Sequence, residues 1–176
     1  VIKYAERLLA VEQTVDNHLL LVQTYLNTGL VKEAEQQLAS FRERYPTDSR
    51  GLLLGAWLSM KQGHTKEALE LTNKRLERDQ NDATAWQLRG QVNYMLSEYD
   101  QSIMDLKRSK VLLDTATTRL LLSKTYLKIG RTEDAITELK SIIEDPQAPE
   151  EARNLLERIY LNPKRKEALD DFYSKV

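Results

Sequence analysis

A period runs through this chain. A small residue recurs at Ala34, Ala68, Ser102, Ala135 and Ala168, in steps of 34, 34, 33 and 33 residues. Five places before each stand Gly29, Gly63, Ser97, Gly130 and Pro163, and twelve places before stand Val22, Ala56, Gly90, Ser123 and Leu156. An acid or an amide immediately precedes each one: Glu33, Glu67, Gln101, Asp134 and Glu167. Self-similarity at this spacing marks a stack of supersecondary units. Each unit is unable to bury its own apolar face and is covered by its neighbours.

Within a unit the apolar pattern is helical. In the fourth unit Leu121, Leu122, Tyr126 and Ile129 recur at helical spacing. Gly130 interrupts them, as expected of a left-handed residue just past a helix end. Ala135, Ile136, Leu139, Ile142 and Ile143 form a second stripe that Pro146 stops, as Pro46 does after Tyr45 in the first unit. Neither strand alternation nor hairpin dipeptides occur. The reading is all-α, with about eleven helices of roughly 11–15 residues each.

Composition then narrows function. The absence of cysteine excludes disulfides, thiolate catalysis, iron–sulfur clusters and Cys-ligated zinc. With only 6 glycines and 4 prolines there is no Gly-rich phosphate cradle. Lys and Arg total 26 against 27 Asp and Glu, so the net charge of −1 gives no bulk attraction for nucleic acid or anionic membranes. No apolar run approaches the length of about 18 residues that a membrane span needs. Neither an initiator Met nor a signal peptide is present, so the chain reads as an excerpt of a longer array and its compartment stays open, cytoplasmic or periplasmic.

The frame formed by Trp86, Gly90 and Ser102, with Tyr99-Asp100-Gln101-Ser102-Ile103 opening a second helix, resembles the tetratricopeptide repeat family. Leu52, Ala56 and Ala68 fit the same frame, as do Tyr25 and Tyr126 at its eleventh position and Pro46 at its thirty-second. The resemblance implies a right-handed α-solenoid of antiparallel helix pairs. Residues 15–48, 49–82, 83–115, 116–148 and 149–176 become five units within a single solenoid domain over 1–176. Residues 1–12, with Ile2, Tyr4, Ala5, Leu8 and Leu9, become the second helix of a preceding unit. Several positions depart from the family pattern. Arg119 stands at a usually bulky place and Arg89 at a usual Leu. Ser59 and Asn93 replace Tyr, and Pro163 replaces the turn glycine. Trp86 is expected in the core, and Gly90 where two helix backbones come closest.

The resemblance also implies where a partner binds, because first helices line the concave face of such arrays. The family's ninth position gives Gln23, Trp57, Gln91, Lys124 and Glu157. The twelfth gives Leu26, Met60, Tyr94, Leu127 and Tyr160, and the fifth gives Leu19, Leu53, Gln87, Leu120 and Arg153. The inferred face is apolar and aromatic with interleaved amides. It lacks the Lys/Asn/Arg clamp with which chaperone-binding members hold a C-terminal carboxylate. The candidate partner-binding set is Gln23, Trp57, Met60, Gln87, Gln91, Tyr94, Lys124 and Leu127. The twelfth-position members have a second reading as packing between helices.

The remaining candidates have structural readings. His64 follows the turn glycine, His18 lies near Asp16 without a metal set, and Lys164-Arg165-Lys166 reads as a solvated face. Glu150 and Glu151 suit the first turn of a helix. No nucleophile and base form a recognisable motif. The chain therefore reads as a non-catalytic scaffold without metal or cofactor, binding a protein or peptide partner with apolar side chains and no nucleic acid. The alternative is a self-associating array, from Ile2, Leu8, Leu9, Phe172 and Tyr173, or an accessory module of a bacterial assembly, secretion or polysaccharide-export machine.

Overall fold

The structure is a computed structural model that describes residues 1–145 and 148–161. Ten helices follow one another: α1 (Ile2–Val11), α2 (Val15–Thr28), α3 (Val31–Arg44), α4 (Arg50–Lys61), α5 (Thr65–Arg78), α6 (Ala83–Met95), α7 (Tyr99–Leu112), α8 (Ala116–Lys128), α9 (Thr132–Ile143) and α10 (Glu150–Tyr160). No strand occurs among the described residues, as expected. Pro146, Pro163, the Lys164-Arg165-Lys166 run, Ala168, Phe172, Tyr173 and the expected eleventh helix lie outside them.

Short polar side chains start three of the first helices. Thr14 Oγ1 accepts from Asn17 N at 3.2 Å, Asp82 Oδ1 from Ala85 N at 2.9 Å, and Thr115 Oγ1 from Thr118 N at 3.2 Å. The turn that folds each second helix back is the same four times. Gly29, Gly63 and Gly130 take φ of 78°, 81° and 77°, and Ser97 takes 65° at the equivalent place. The next residue closes the turn in each case. The N–H groups of Leu30, His64, Glu98 and Arg131 donate to the carbonyls of Tyr25, Ser59, Asn93 and Tyr126 at 2.8–2.9 Å.

Each helix packs on the next, and α2, α4, α6 and α8 also touch in succession. The core is accordingly a string of clusters. Val22, Leu26, Ala34, Leu38 and Phe41 form one with Leu54 and Leu58. Ala56, Met60, Ala68 and Val92 form the next, Ile103, Leu106, Leu122, Tyr126 and Ala135 the third. Leu120, Ile136, Leu139, Ala152, Leu156 and Tyr160 lie in the fourth. Small residues set the crossings. A Cβ on Gly90 would lie 2.7 Å from Leu106 Cγ, so α6 and α7 meet there, as expected. Ser102 Oγ, on α7, donates to the Gly90 carbonyl at 2.8 Å.

Two unusual residues of the repeat frame, Arg89 and Asn93, meet at one carboxylate. Arg89 forks onto Asp105, Nε to Oδ2 at 2.9 Å and Nη2 to Oδ1 at 2.7 Å, and Nη1 donates to Asn73 Oδ1 at 2.9 Å. Asn93 Nδ2 and Gln101 Nε2 donate to the same carboxylate at 2.8 and 3.1 Å. Asp105 is buried, so this network supplies the hydrogen-bond donors that a buried carboxylate requires. Arg119 does the same in the following repeat, donating to Asp114, to Glu138 Oε2 and to Ser141 Oγ. The hydrogen bond to Asp114 raises the guanidinium pKa further above its usual value. Trp86 corrects an expectation. It is half-buried and outside the four clusters, its Nε1 donating to the Gln80 carbonyl at 2.8 Å and its ring covered by Arg89 at 4.5 Å. Arginine in place of leucine at position 89 replaces apolar packing by a cation over the ring face.

Candidate concave binding groove

First helices α2, α4, α6 and α8 wall a cavity of ≈ 610 Å³. Leu19 and Gln23 come from α2, and Leu53, Leu54 and Trp57 from α4. Gln87, Leu88 and Gln91 come from α6, and Thr117 from α8. The helical spacing of Leu53 and Trp57, four residues apart, puts both on one wall, and Gln87 and Gln91 repeat that spacing opposite. Trp57 is half-buried and packs against both the first and second core clusters. It thereby ties the floor of the groove to two repeats at once.

The two ends of the cavity carry charge. Arg50 Nη1 donates to Asp16 Oδ1 at 2.8 Å and Nη2 to Asp48 Oδ2 at 2.7 Å, which links α2 to the start of α4. The hydrogen bonds from Arg50 hold the Asp48 carboxyl below its usual pKa. Lys61, in the last turn of α4, is exposed at the other end. Among the described residues, no group of His, Cys, Asp and Glu side chains is arranged to hold a metal ion.

The predicted binding residues separate into two sets. Gln23, Trp57, Gln87 and Gln91 line the same cavity. Met60 does not. It is 8% exposed and lies in the core cluster of Ala56, Ala68 and Val92. Tyr94 turns its ring onto Tyr99 with centroids 5.8 Å apart, and Leu127 packs on the third core cluster. The twelfth repeat position, which also supplies buried Leu26 and Tyr160, therefore faces inward between helices. Lys124 sits further along, 2.6 Å from Glu151 of α10. Arg50, Lys61 and Thr84 complete the lining without having been singled out as binding residues. Their signal was the frame itself, since they occupy its second and thirteenth places, which the family resemblance also implies to be ligand-facing.

His18 and His64 have contrasting settings. His64 is exposed, 3.8 Å from Glu67. His18 is buried against Phe41 and Tyr45, with Nδ1 2.7 Å from Gln37 Nε2 and Nε2 without a partner among the described residues. Burial, aided by the charge of Arg44, lowers its pKa below the ordinary imidazole value.

The shape of the whole matches solved arrays. A thermophilic TPR protein of Thermus thermophilus superposes with a TM-score of 0.81 at 23% identity, over 91% of this chain and 89% of that one. A tetratricopeptide repeat protein of Parabacteroides merdae does so with 0.79 at 18%, over 89% and 62%. This chain has the fold of a tetratricopeptide-repeat array. Residues 61–142 of the array match the family described as anaphase-promoting complex, cyclosome, subunit 3. The Cut9–Hcn1 assembly of the same complex superposes with a TM-score of 0.74 at 21% identity, over 84% of this array and 30% of that chain. No curated protein matches the sequence significantly. Stacked helical repeats of this kind form extended concave surfaces. No described helix of this array is long and apolar enough to cross a membrane.

Proposed function

We propose that the array is a non-catalytic docking scaffold that receives a segment of a partner protein in the groove walled by α2, α4, α6 and α8. In this reading the units 15–48, 49–82, 83–115, 116–148 and 149–176 act as one array. The observation that carries it is the ≈ 610 Å³ cavity in which Leu19, Leu53 and Trp57 face Gln87 and Gln91. Apolar floor with a few convergent polar groups is the usual makeup of a recognition site. Trp57 supplies a large, stiff contact surface of the kind that dominates binding energy.

A second reading draws on α7. Its outward side shows Met104 and Val111, 64% and 76% exposed, with Leu113 at 56% just beyond. That face suits a contact within a larger assembly, the role expected of an accessory module or of a self-associating array.

A photo-crosslinking amino acid placed at Gln91 or at Met104, in the native host, separates the two. Groove recognition gives partner adducts from position 91 and none from position 104. Adducts from position 104 alone would replace the first reading by the second.

A further inference from the structure

In the first four units, the place just before the small first-helix residue holds Leu21, Gly55, Arg89 and Leu122. On α4 this place carries no side chain, and Gly51 stands one turn before it on the same face. Arg42 of α3 fills part of the space. A Cβ on Gly55 would overlap Arg42 Nη2 and would lie 3.3 Å from Leu71 Cδ1. What is left is a furrow between the second helices α3 and α5. It lies on a different face of α4 from Leu53 and Trp57, and consists of two cavities of ≈ 370 and ≈ 260 Å³ that share Arg42.

Charge along the furrow is separated by sign. The smaller cavity is lined by Arg42 and Arg78, while its Asp48 is already held by Arg50 at 2.7 Å. The larger one runs from Arg42 to Glu35 and Glu67. At the repeat place of Arg42, Leu76 and Ile143 are buried and Lys110 is 2.7 Å from Glu138. Arg42 is exposed instead, and neither it nor Arg78 has a carboxylate partner among the described residues. Glu35 accepts one long hydrogen bond from Gln62 Nε2 at 3.4 Å, and Glu67 lies 3.8 Å from exposed His64. Neither acid has a Lys or Arg partner among the described residues. Arg42 follows Glu35 by seven residues, about 10 Å of helix rise.

From these observations we infer that the furrow between α3 and α5 is a second docking site, for a segment of a partner protein that carries an acid and a base. The acid lies on Arg42 and beside Arg78, and the base lies between Glu35 and Glu67. A guanidinium suits the first contact because it donates two parallel hydrogen bonds to a carboxylate. A small anion alone would leave Glu35 and Glu67 unmatched, so complementarity requires both signs on the occupant. The site uses no residue of the concave groove and does not depend on that reading.

Linear random peptides displayed on phage and selected on the purified array test the inference. Each binder is titrated against the parent and against Arg42→Glu and Gln91→Lys. A class of binders with an acid and a base at fixed spacing is expected. Arg42→Glu, at an exposed position, should weaken that class about ten-fold. Replacing the acid of the peptide by lysine should restore affinity for Arg42→Glu. Gln91→Lys, in the groove wall, should leave the class unchanged. Gly55→Leu, which puts back the side chain of the first and fourth units, should abolish binding. Urea unfolding shows whether that variant folds, and Arg42→Glu carries the test where it does not. Binders that carry acids alone would overturn the inference, as would a selection with no binder sensitive to Arg42→Glu. Binders weakened only by Gln91→Lys would overturn it as well and leave the groove reading standing.

Discussion

Around α2, α3 and α4 the array packs rings and glycines; between α6 and α7 it packs a charged fork around a buried carboxylate. In the first region Phe41 lies so close to α4 that a Cβ on Gly51 would stand 2.7 Å from its Cε1. His18 and Tyr45 complete that aromatic group. In the second, Arg89, Asn93 and Gln101 converge on Asp105, which is 1% exposed. Both regions obey one repeat frame. The frame fixes where small residues let helices meet and leaves the chemistry beside each crossing free. Apolar packing tolerates repacking, whereas a buried ion network tolerates no missing member.

Breaking the network is the most damaging test of that contrast. Asp105→Ala leaves the Arg89 guanidinium without its carboxylate and should cost about 3–5 kcal/mol, read from urea unfolding. Glycine replacement probes the feature the regions share. Gly51→Val and Gly90→Val should each destabilise by about 1–3 kcal/mol, because Phe41 in one case and Leu106 in the other must yield. A cost confined to one of the two would show that only that crossing is tight. The third repeat also has the one turn that holds a residue other than glycine at positive φ, among those described. Ser97→Gly should therefore stabilise by about 1 kcal/mol, seen as a raised melting temperature. The smallest effect belongs to the aromatic region. Folded His18 resists protonation more than an unfolded histidine, whose pKa is about 6.5. Below about 6.5 the unfolded chain takes up a proton that the folded chain refuses. Stability should thus be flat above that pH and fall as pH drops from it towards the lower folded value. Melting curves of the parent and of His18→Gln, recorded across that window, should differ in slope.

The repeat frame was plain in the amino-acid order because it rests on local requirements. Gly29, Gly63 and Gly130 are needed for the left-handed turn, and Ala34, Ala68 and Gly90 for close crossings. Gln23, Trp57, Gln87 and Gln91 were named from the positions that the family resemblance implies, and the structure brings them to one cavity because equivalent places on successive first helices face the same way. Met60, Tyr94 and Leu127 had two readings in the sequence, groove or packing between helices, and the structure favours the second. Their position is at the margin between concave face and core, and only the packing of the following helix decides which way they turn. The Arg89 and Arg119 networks were visible as departures, but the pairing of Arg89 with Asp105 spans two helices and no spacing rule announces it. Trp86 followed from that pairing, because Arg89 takes the ring face that leucine packing would have occupied.

Among the described residues, the contacts that hold the array run chiefly from each helix to its near neighbours along the chain. Under tension applied at the two ends, such a molecule has no long-range clasp to snap. It would open one hairpin after another, each release lengthening the chain by a similar step, and behave as a spring before it behaves as a fuse. The groove lies across four of those coils, so stretching widens it. Whatever is seated there would then respond to load as well as to concentration.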